Sequence, residues 1–289
     1  MQEILVSVDG SAYSLKGLVL GRKLGKQLGM PVKLYSIVPD TQAMEDRRHA
    51  IERSLESLAG DKPKLEVVPD TSPAQHLAEM ARNETDLLLC MTTHGRRPVA
   101  EALLGSVASQ VVRESGRMVF LAGPKMREDD ETPIQQLIVC VDGSPISEDV
   151  LPHAVELAQM LKARVQLIHV VEPDAMPGRG QRHSITDNFG SGSGGGSGGA
   201  SDIMESNYVQ SVARKLKEKF GITADWDVLH GENTGEAISS YASAQPGAML
   251  VMTTHGRGGV AQVALGSVSH AVLHEAKCPV AVFRPEESL

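Results

Sequence analysis

Aromatic residues are scarce in this 289-residue chain: one Trp, four Tyr and four Phe, 3% in all. Its interior must therefore be assembled from Val, Leu, Ile, Ala and Met. Cysteine is rarer still. Cys90, Cys140 and Cys278 are odd in number and far apart, which argues against a disulfide framework or a metal cluster and for buried free thiols in a reducing cytosol. There is no excess of positive charge. The net charge is −8, with 17 Lys and Arg against 18 Asp and Glu in residues 1–130 and 11 against 18 in residues 131–289. Neither nucleic acid nor an anionic membrane is the expected partner. No apolar run is long enough to span a bilayer, and the N-terminus enters a strand-like segment without a signal-peptide pattern. A cytoplasmic protein without membrane insertion is the expectation. A lysine-bearing phosphate loop of the form G-x-x-x-x-G-K-[ST] is also missing, and with it the machinery that such loops bring to phosphoryl transfer.

What is present is a glycine- and hydroxyl-rich turn after a short apolar run at 248–252. It reads Met252-Thr253-Thr254-His255-Gly256-Arg257-Gly258-Gly259, and Leu265-Gly266-Ser267-Val268-Ser269 then opens a helical pattern. Small side chains, backbone N–H groups and a helix start in one place are the parts of an anion or phosphate cradle. The turn occurs twice, as Met91-Thr92-Thr93-His94-Gly95-Arg96 followed by Leu104-Gly105-Ser106-Val107. Upstream, Val6-Ser7-Val8-Asp9-Gly10-Ser11 matches Val139-Cys140-Val141-Asp142-Gly143-Ser144. Asp9 and Gly105 lie 96 positions apart and Asp142 and Gly266 lie 124 apart, so the second copy carries 28 extra residues. Residues 174–201, with their Gly/Ser tract, account for them. The expected organisation is a domain at 1–124, a charged linker at 125–134, and a second domain at 135–289 carrying that insertion.

In each copy, apolar runs without clear alternation are interleaved with amphipathic segments. Strands are expected near 3–8, 32–38, 64–68, 87–91 and 118–121, and again near 137–141, 165–171, 224–228, 248–252 and 280–283. Helices are expected near 13–28, 41–58, 105–115, 148–161, 204–220, 234–244 and 266–276, with one opening at Ser72-Pro73. The fold class is α/β: two tandem doubly wound five-stranded parallel sheets of Rossmann-like form. Ligands of such sheets bind outside the carboxyl ends of the strands where the strand order reverses. If the first and fourth strands are neighbours, Asp142 faces the glycine turn across that crevice. A carboxylate repels phosphate but accepts from a ribose hydroxyl or an adenine amine, so the polarity of the crevice suits a nucleotide.

The two copies together resemble a tandem universal stress protein over nearly their full length, the insertion apart. The ATP-binding pattern of that family is G-x-x-G, nine residues, then G-[ST]. Here Thr253-Thr254-His255-Gly256 and Gly266-Ser267 stand at that spacing, as do Thr92-Thr93-His94-Gly95 and Gly105-Ser106. The resemblance implies an adenine nucleotide alpha-hydrolase-like fold and an ATP ligand, alone or with Mg2+. It places Asp142 and Val170 at the adenine and ribose end, with Met252, Thr253, Gly256, Arg257, Gly266, Ser267, Val268 and Ser269 around the phosphates. The matching positions in the first copy are Asp9, Ile37, Met91, Thr92, Gly95, Arg96, Gly105, Ser106, Val107 and Ala108. It also implies pairing of the last strands, 118–121 and 280–283, as an intramolecular pseudo-dimer, with a homo-dimer left open.

Both copies carry threonine where the family places its first glycine, which puts a Cβ beside the ligand. In the first copy Ala108 replaces the hydroxyl of Ser269, and Arg97-Pro98 replaces Gly258-Gly259. The second copy is accordingly expected to be the better ATP site. Other readings stand beside these. Asp9, Asp142, Ser11 and Ser144 also suit helix caps. His94 and His255 suit turn-shaping or phosphate contact better than general-base chemistry, and Arg96 and Arg257 suit phosphate contact or plain solvation. His169 and Trp226 suit packing. Arg179, Arg182 and His183, beside the Gly/Ser tract, suggest a basic lid. The function implied is nucleotide binding in a stress response, with slow hydrolysis at most. Its alternatives are an adenylating or hydrolysing enzyme and a scaffold without nucleotide.

Overall fold

The computed structural model describes residues 3–56, 58, 60, 62–95, 104–172, 200–255 and 265–285. The first half runs β1 (Glu3–Ser7), a 3-10 turn (Tyr13–Leu15), α1 (Lys16–Leu28), β2 (Val32–Val38), α2 (Ala43–Glu56) and β3 (Lys64–Pro69). It continues through α3 (Pro73–Asn83), β4 (Leu87–Thr92), α4 (Ser106–Glu114) and β5 (Val119–Ala122). The second half repeats the order: β6 (Gln136–Cys140), α5 (Pro145–Glu148), α6 (Leu151–Leu161), β7 (Arg164–Val171), α7 (Ala200–Phe220) and β8 (Ala224–His230). It closes with α8 (Thr234–Ser243), β9 (Ala248–Thr253), α9 (Ser267–Glu275) and β10 (Val280–Phe283).

One expected helix, 148–161, is preceded by a separate short turn of helix. Pro145 and Pro152 each stand in the first turn of their segment. A proline there lacks only an N–H that the helix leaves unpaired, but it breaks continuity with the turn before it. The inserted residues 174–199 lie outside those described, as do Arg179, Arg182 and His183. The helix after them begins at Ala200, four residues ahead of the expected start.

All strands within a half are parallel, and each half has the order 3-2-1-4-5. The halves are one continuous ten-stranded sheet, β3-β2-β1-β4-β5-β10-β9-β6-β7-β8. They meet antiparallel, with Ala281 opposite Phe120 and Val282 opposite Val119. An antiparallel junction between two parallel halves points the carboxyl ends of their strands in opposite directions. The two carboxyl-end faces, and the strand-order reversals on them, therefore point in opposite directions along the strands.

Both faces of the sheet are covered, as parallel strands require. Alternate residues of β1 show it: Ile4 and Val6 join the layer under α1, α2, α6 and α7, and Leu5 joins the layer under α3, α4, α8 and α9. Phe120 and Phe283, from the two junction strands, lie in the same layer. The charged linker is docked against the first half. Met126 and Ile134 are buried, Lys16 and Lys23 pair with Glu128 and Asp130, and Gln27 bonds both Ile134 N and O.

Candidate functional site

β1 has β2 on one side and β4 on the other, and β6 lies between β7 and β9. The strand order thus reverses between β1 and β4 and again between β6 and β9, the positions at which open doubly wound sheets bind their ligands. Asp9 and Asp142 follow the first strand of each pair, and the glycine turns follow the second.

Each acid is held by the same local network. Asp9 Oδ1 accepts from Ser11 N at 3.0 Å and Ser11 Oγ at 2.6 Å; Asp142 Oδ1 accepts from Ser144 N at 2.9 Å and Ser144 Oγ at 2.6 Å. Ser11 and Ser144 in turn accept from Ser14 N and Ser147 N. Gly10 and Gly143, at φ +83° and +86°, permit the tight turn. One carboxylate oxygen is therefore committed to the turn, and the capping role of the serines coexists with a site role for the acids. The other oxygen of Asp9 looks across the crevice. A Cβ on Gly95 would stand only 2.4 Å from Asp9 Oδ2, so the acid and the glycine turn meet. Gly256, the corresponding residue of the second copy, lies outside the described residues, as do Arg96, Arg257, Arg97, Pro98, Gly258 and Gly259.

The threonines in the first-glycine position have a structural occupation. Thr92 Oγ1 donates to His94 O at 2.6 Å and Thr253 Oγ1 to His255 O at 2.7 Å, both side chains being buried. Each threonine closes its own turn. The helix start is tied back to the same turn, Gly105 N donating to Thr93 O at 2.7 Å and Gly266 N to Thr254 O at 2.8 Å. Neither α4 nor α9 has a side-chain cap from its N-cap residue. Their first-turn N–H groups are the kind of donors that bind anions.

Ser269 differs from the expectation that it adds a donor for phosphate. It is 4% exposed, and its Oγ donates to Thr253 O at 3.0 Å and Thr254 O at 3.1 Å. Its hydroxyl tethers the turn, and Ala108 provides no such tether in the first copy. The exposed hydroxyls at the helix starts are those of Ser106 and Ser267. Ile37 and Val170 are half-buried near the ends of β2 and β7, in the layer that also takes Val107 and Val268. Met91 and Met252 are buried beneath the turns. His94 Nδ1 and His255 Nδ1 lie 3.1 and 2.9 Å from the hydroxyls of Thr93 and Thr254, a turn-shaping contact. Burial pushes the Cys90 and Cys140 thiols up, far from the thiolate form a nucleophile needs. Among the described residues no group of three or more His, Cys, Asp or Glu is placed to hold a metal ion. No helix among them is long and apolar enough to cross a membrane.

Two residues behind the acid turns escaped the sequence reading. Arg47 of α2 donates to Ser36 Oγ at 2.9 Å and lies across Gly10. His169, read as packing, is a polar bridge with its ring nitrogens against Val141 O and Glu205. At these positions the halves differ, Ser36 corresponding to His169 and Arg47 to Tyr208.

A sequence profile of the universal stress protein family matches residues 1–122 and again 133–284. A universal stress protein of Mycobacterium tuberculosis is 28% identical over 312 aligned positions, covering 97% of this chain and 96% of its own. The crystal structure of a universal stress protein from Archaeoglobus fulgidus superposes with a TM-score of 0.62 at 18% identity, covering 98% of each chain. A universal stress protein solved in complex with cAMP covers 53% of this chain at 17% identity and a TM-score of 0.38. With both halves matched in succession, this chain belongs to the universal stress protein family and carries two of its domains in tandem.

Proposed function

We propose that this chain is a cytoplasmic adenine-nucleotide-binding regulatory protein of the stress response, with ATP, alone or with Mg2+, as its ligand. One observation carries the reading: the Asp9 carboxylate stands against Gly95 at the point where strand order reverses, beside a helix start that no side chain caps. Such a crevice is acidic at one end and rich in N–H donors at the other, which suits a base and ribose followed by phosphates. The same acid turn, tied-back helix start and uncapped N-terminus recur around Asp142 and Gly266. The domains are taken as 1–124 and 135–289, joined by 125–134.

The second half is the better site in this reading. Ser269 adds two bonds to its turn that Ala108 cannot supply to the first. Asp142 and Val170 receive the base and ribose. Thr253, Gly256, Arg257, Gly266, Ser267 and Val268 surround the phosphates; in the first half Asp9 and Ile37 take the base and ribose, and Thr92, Gly95, Arg96, Gly105, Ser106 and Val107 the phosphates. Hydrolysis is at most slow, since no phosphate-loop lysine is present. The β5–β10 pair lets one chain present two sites as an intramolecular pseudo-dimer, with further association into a homo-dimer through other surfaces.

A scaffold reading has its own support. The Thr92, Thr253 and Ser269 hydroxyls are all committed within the turns. Heat-releasing bound small molecules from purified protein, and titrating ATP against Gly266→Trp and Gly105→Trp, decides between them. Released ATP, and greater loss with Gly266→Trp, is the expected result. No nucleotide released and no ATP binding favours the scaffold.

A further inference from the structure

A groove of about 920 Å³ runs between α8 and α9, with the linker across their carboxyl ends. None of the residues assigned to the nucleotide lines it. Its volume falls within the roughly 300–1,000 Å³ of small-molecule sites, and it lies where two halves meet, a common place for one. Three ties build the linker end. Arg127 N donates to Lys277 O at 3.1 Å, Lys277 N donates to Ser243 Oγ at 3.3 Å, and Lys125 Nζ pairs with Glu275. The first tie sets Arg127 and Lys277 beside each other. Both are exposed, and neither side chain has a hydrogen-bond or ion-pair partner among the described residues.

The first half places longer side chains at the matching positions. Positions after the insertion correspond to the first half at an offset of 161, so Ser243 matches Arg82, Ala271 matches Gln110 and His274 matches Arg113. Arg82 reaches from α3 and donates to Glu114 O at the end of α4. Gln110 donates to Glu114 Oε2 at 3.2 Å, and Arg113 pairs with Glu114 Oε1 at 2.9 Å. Those groups hold one another across the helix pair. In the second half the matching acid, Glu275, turns to Lys125 and His274 instead. Its charge is thereby answered, while Ser243 and Ala271 are too short to bridge the helices. The charges of Arg127 and Lys277 are left over.

We propose that this groove binds a small phosphate monoester of a hydroxyl-bearing compound, a sugar or polyol phosphate, with Arg127 and Lys277 on the phosphate. Two cations held side by side repel, and an anion between them turns that cost into attraction. Arginine and lysine are the side chains that suit phosphate, the one as a fork of donors and the other as a point charge. Away from the linker the α8 wall carries Asn233, Glu236 and Ser240. Those groups donate to and accept from hydroxyls. The unpaired cations stand at one end and are not spread along the groove, which fits a compact ligand with one charged end better than an extended acidic chain. The inference does not draw on the nucleotide reading.

The test titrates glucose 6-phosphate, ribose 5-phosphate and glycerol 3-phosphate against the full chain by calorimetry, with inorganic phosphate and glucose beside them. Hydrogen exchange at the Arg127 and Lys277 amides reports where the probe sits. The expected result is that at least one of the esters binds more tightly than inorganic phosphate or glucose and slows exchange at both amides. Arg127→Gln and Lys277→Gln should each raise its Kd about tenfold, the size of one charge-assisted hydrogen bond. Ser243→Arg installs the first-half residue, which adds positive charge but fills the groove. A shaped site loses the ester with that change, whereas diffuse attraction to a basic surface gains it. Should Ser243→Arg impair folding, the two glutamine variants, both at exposed positions, still decide. Esters that bind no better than inorganic phosphate, an unchanged Kd in both glutamine variants, or tighter binding in Ser243→Arg overturns the proposal. So does displacement of the ester by ATP with no change at the Arg127 amide, which would put the phosphate in the nucleotide crevice. Failure of ATP to bind leaves the groove standing and sinks only the nucleotide reading.

Discussion

Gly123 lies against the end of α9 so closely that a Cβ on it would stand 2.4 Å from the carbonyl oxygen of Leu273. This is a close seam between the halves, where the chain leaves β5 and passes the helix of the other half. A side chain here meets backbone, which cannot step aside as a flexible side chain does. Gly123→Val is expected to destabilise the chain by about 1–3 kcal/mol. The shift in denaturant midpoint measures it. An unchanged midpoint would show that the seam adjusts at no cost.

The Ser269 tether gives a second expectation. Ser269→Ala removes a buried donor shared by two turn carbonyls and should cost about 1–3 kcal/mol. Exchange at the Thr254 and His255 amides should quicken with it. Ala108→Ser, at the matching buried position of the first half, should slow exchange at Thr93 and His94. If neither turn responds, the hydroxyl has no hold on it.

Gly95→Ala probes the crevice directly. The added methyl meets Asp9 Oδ2, and a carboxylate at the end of a short side chain can turn away while the fold persists. We expect at least about a tenfold loss of ATP affinity at the first site, the size of one charge-assisted hydrogen bond, with little change in unfolding midpoint. Calorimetric titration in a Gly266→Trp background isolates that site. Undiminished affinity would separate Asp9 from the ligand.

His153 gives a dependence on pH. It packs tilted against Phe283 with ring centroids 4.1 Å apart, and burial, the largest effect, lowers its pKa against the opposing pull of Glu156. The unfolded chain therefore binds its proton first as pH falls. The contribution of His153 to stability is complete above the ordinary histidine value near 6.5 and declines as pH drops below it toward the depressed folded value. His153→Phe should remove that part of the acid-side decline. Denaturant midpoints at about pH 7.5 and 5.5, compared between parent and variant, read it out; equal declines would assign the slope to other groups.

Much of this architecture is legible in the primary structure because its signals are local. Residues 248–252 are apolar throughout since β9 is covered on both faces, and such a run announces a parallel strand wherever it occurs. The Asp-Gly-Ser turns are legible for the same reason: an acid, a glycine at positive φ and a hydroxyl form a network that spans only a few positions. The His169–Glu205 bridge was not legible. Its partners are separated by the inserted segment, and a lone histidine in an apolar strand looks like packing until the helix that faces it is known.

The sequence by itself determined the duplication, the order of strands and helices along each copy, and the recurrence of the acid and glycine turns. These follow from periodicity, glycine placement and spacing, which act over a few residues at a time. The resemblance implied that the last strands pair; the tertiary structure decided that β5 and β10 do so antiparallel, so that the carboxyl ends of the two halves point in opposite directions. It alone decided too that Ser269 tethers a turn and that His169, at the position of Ser36, bridges to Glu205. Those outcomes depend on which distant surfaces fit together, and four-residue strands or single polar side chains do not encode their partners locally.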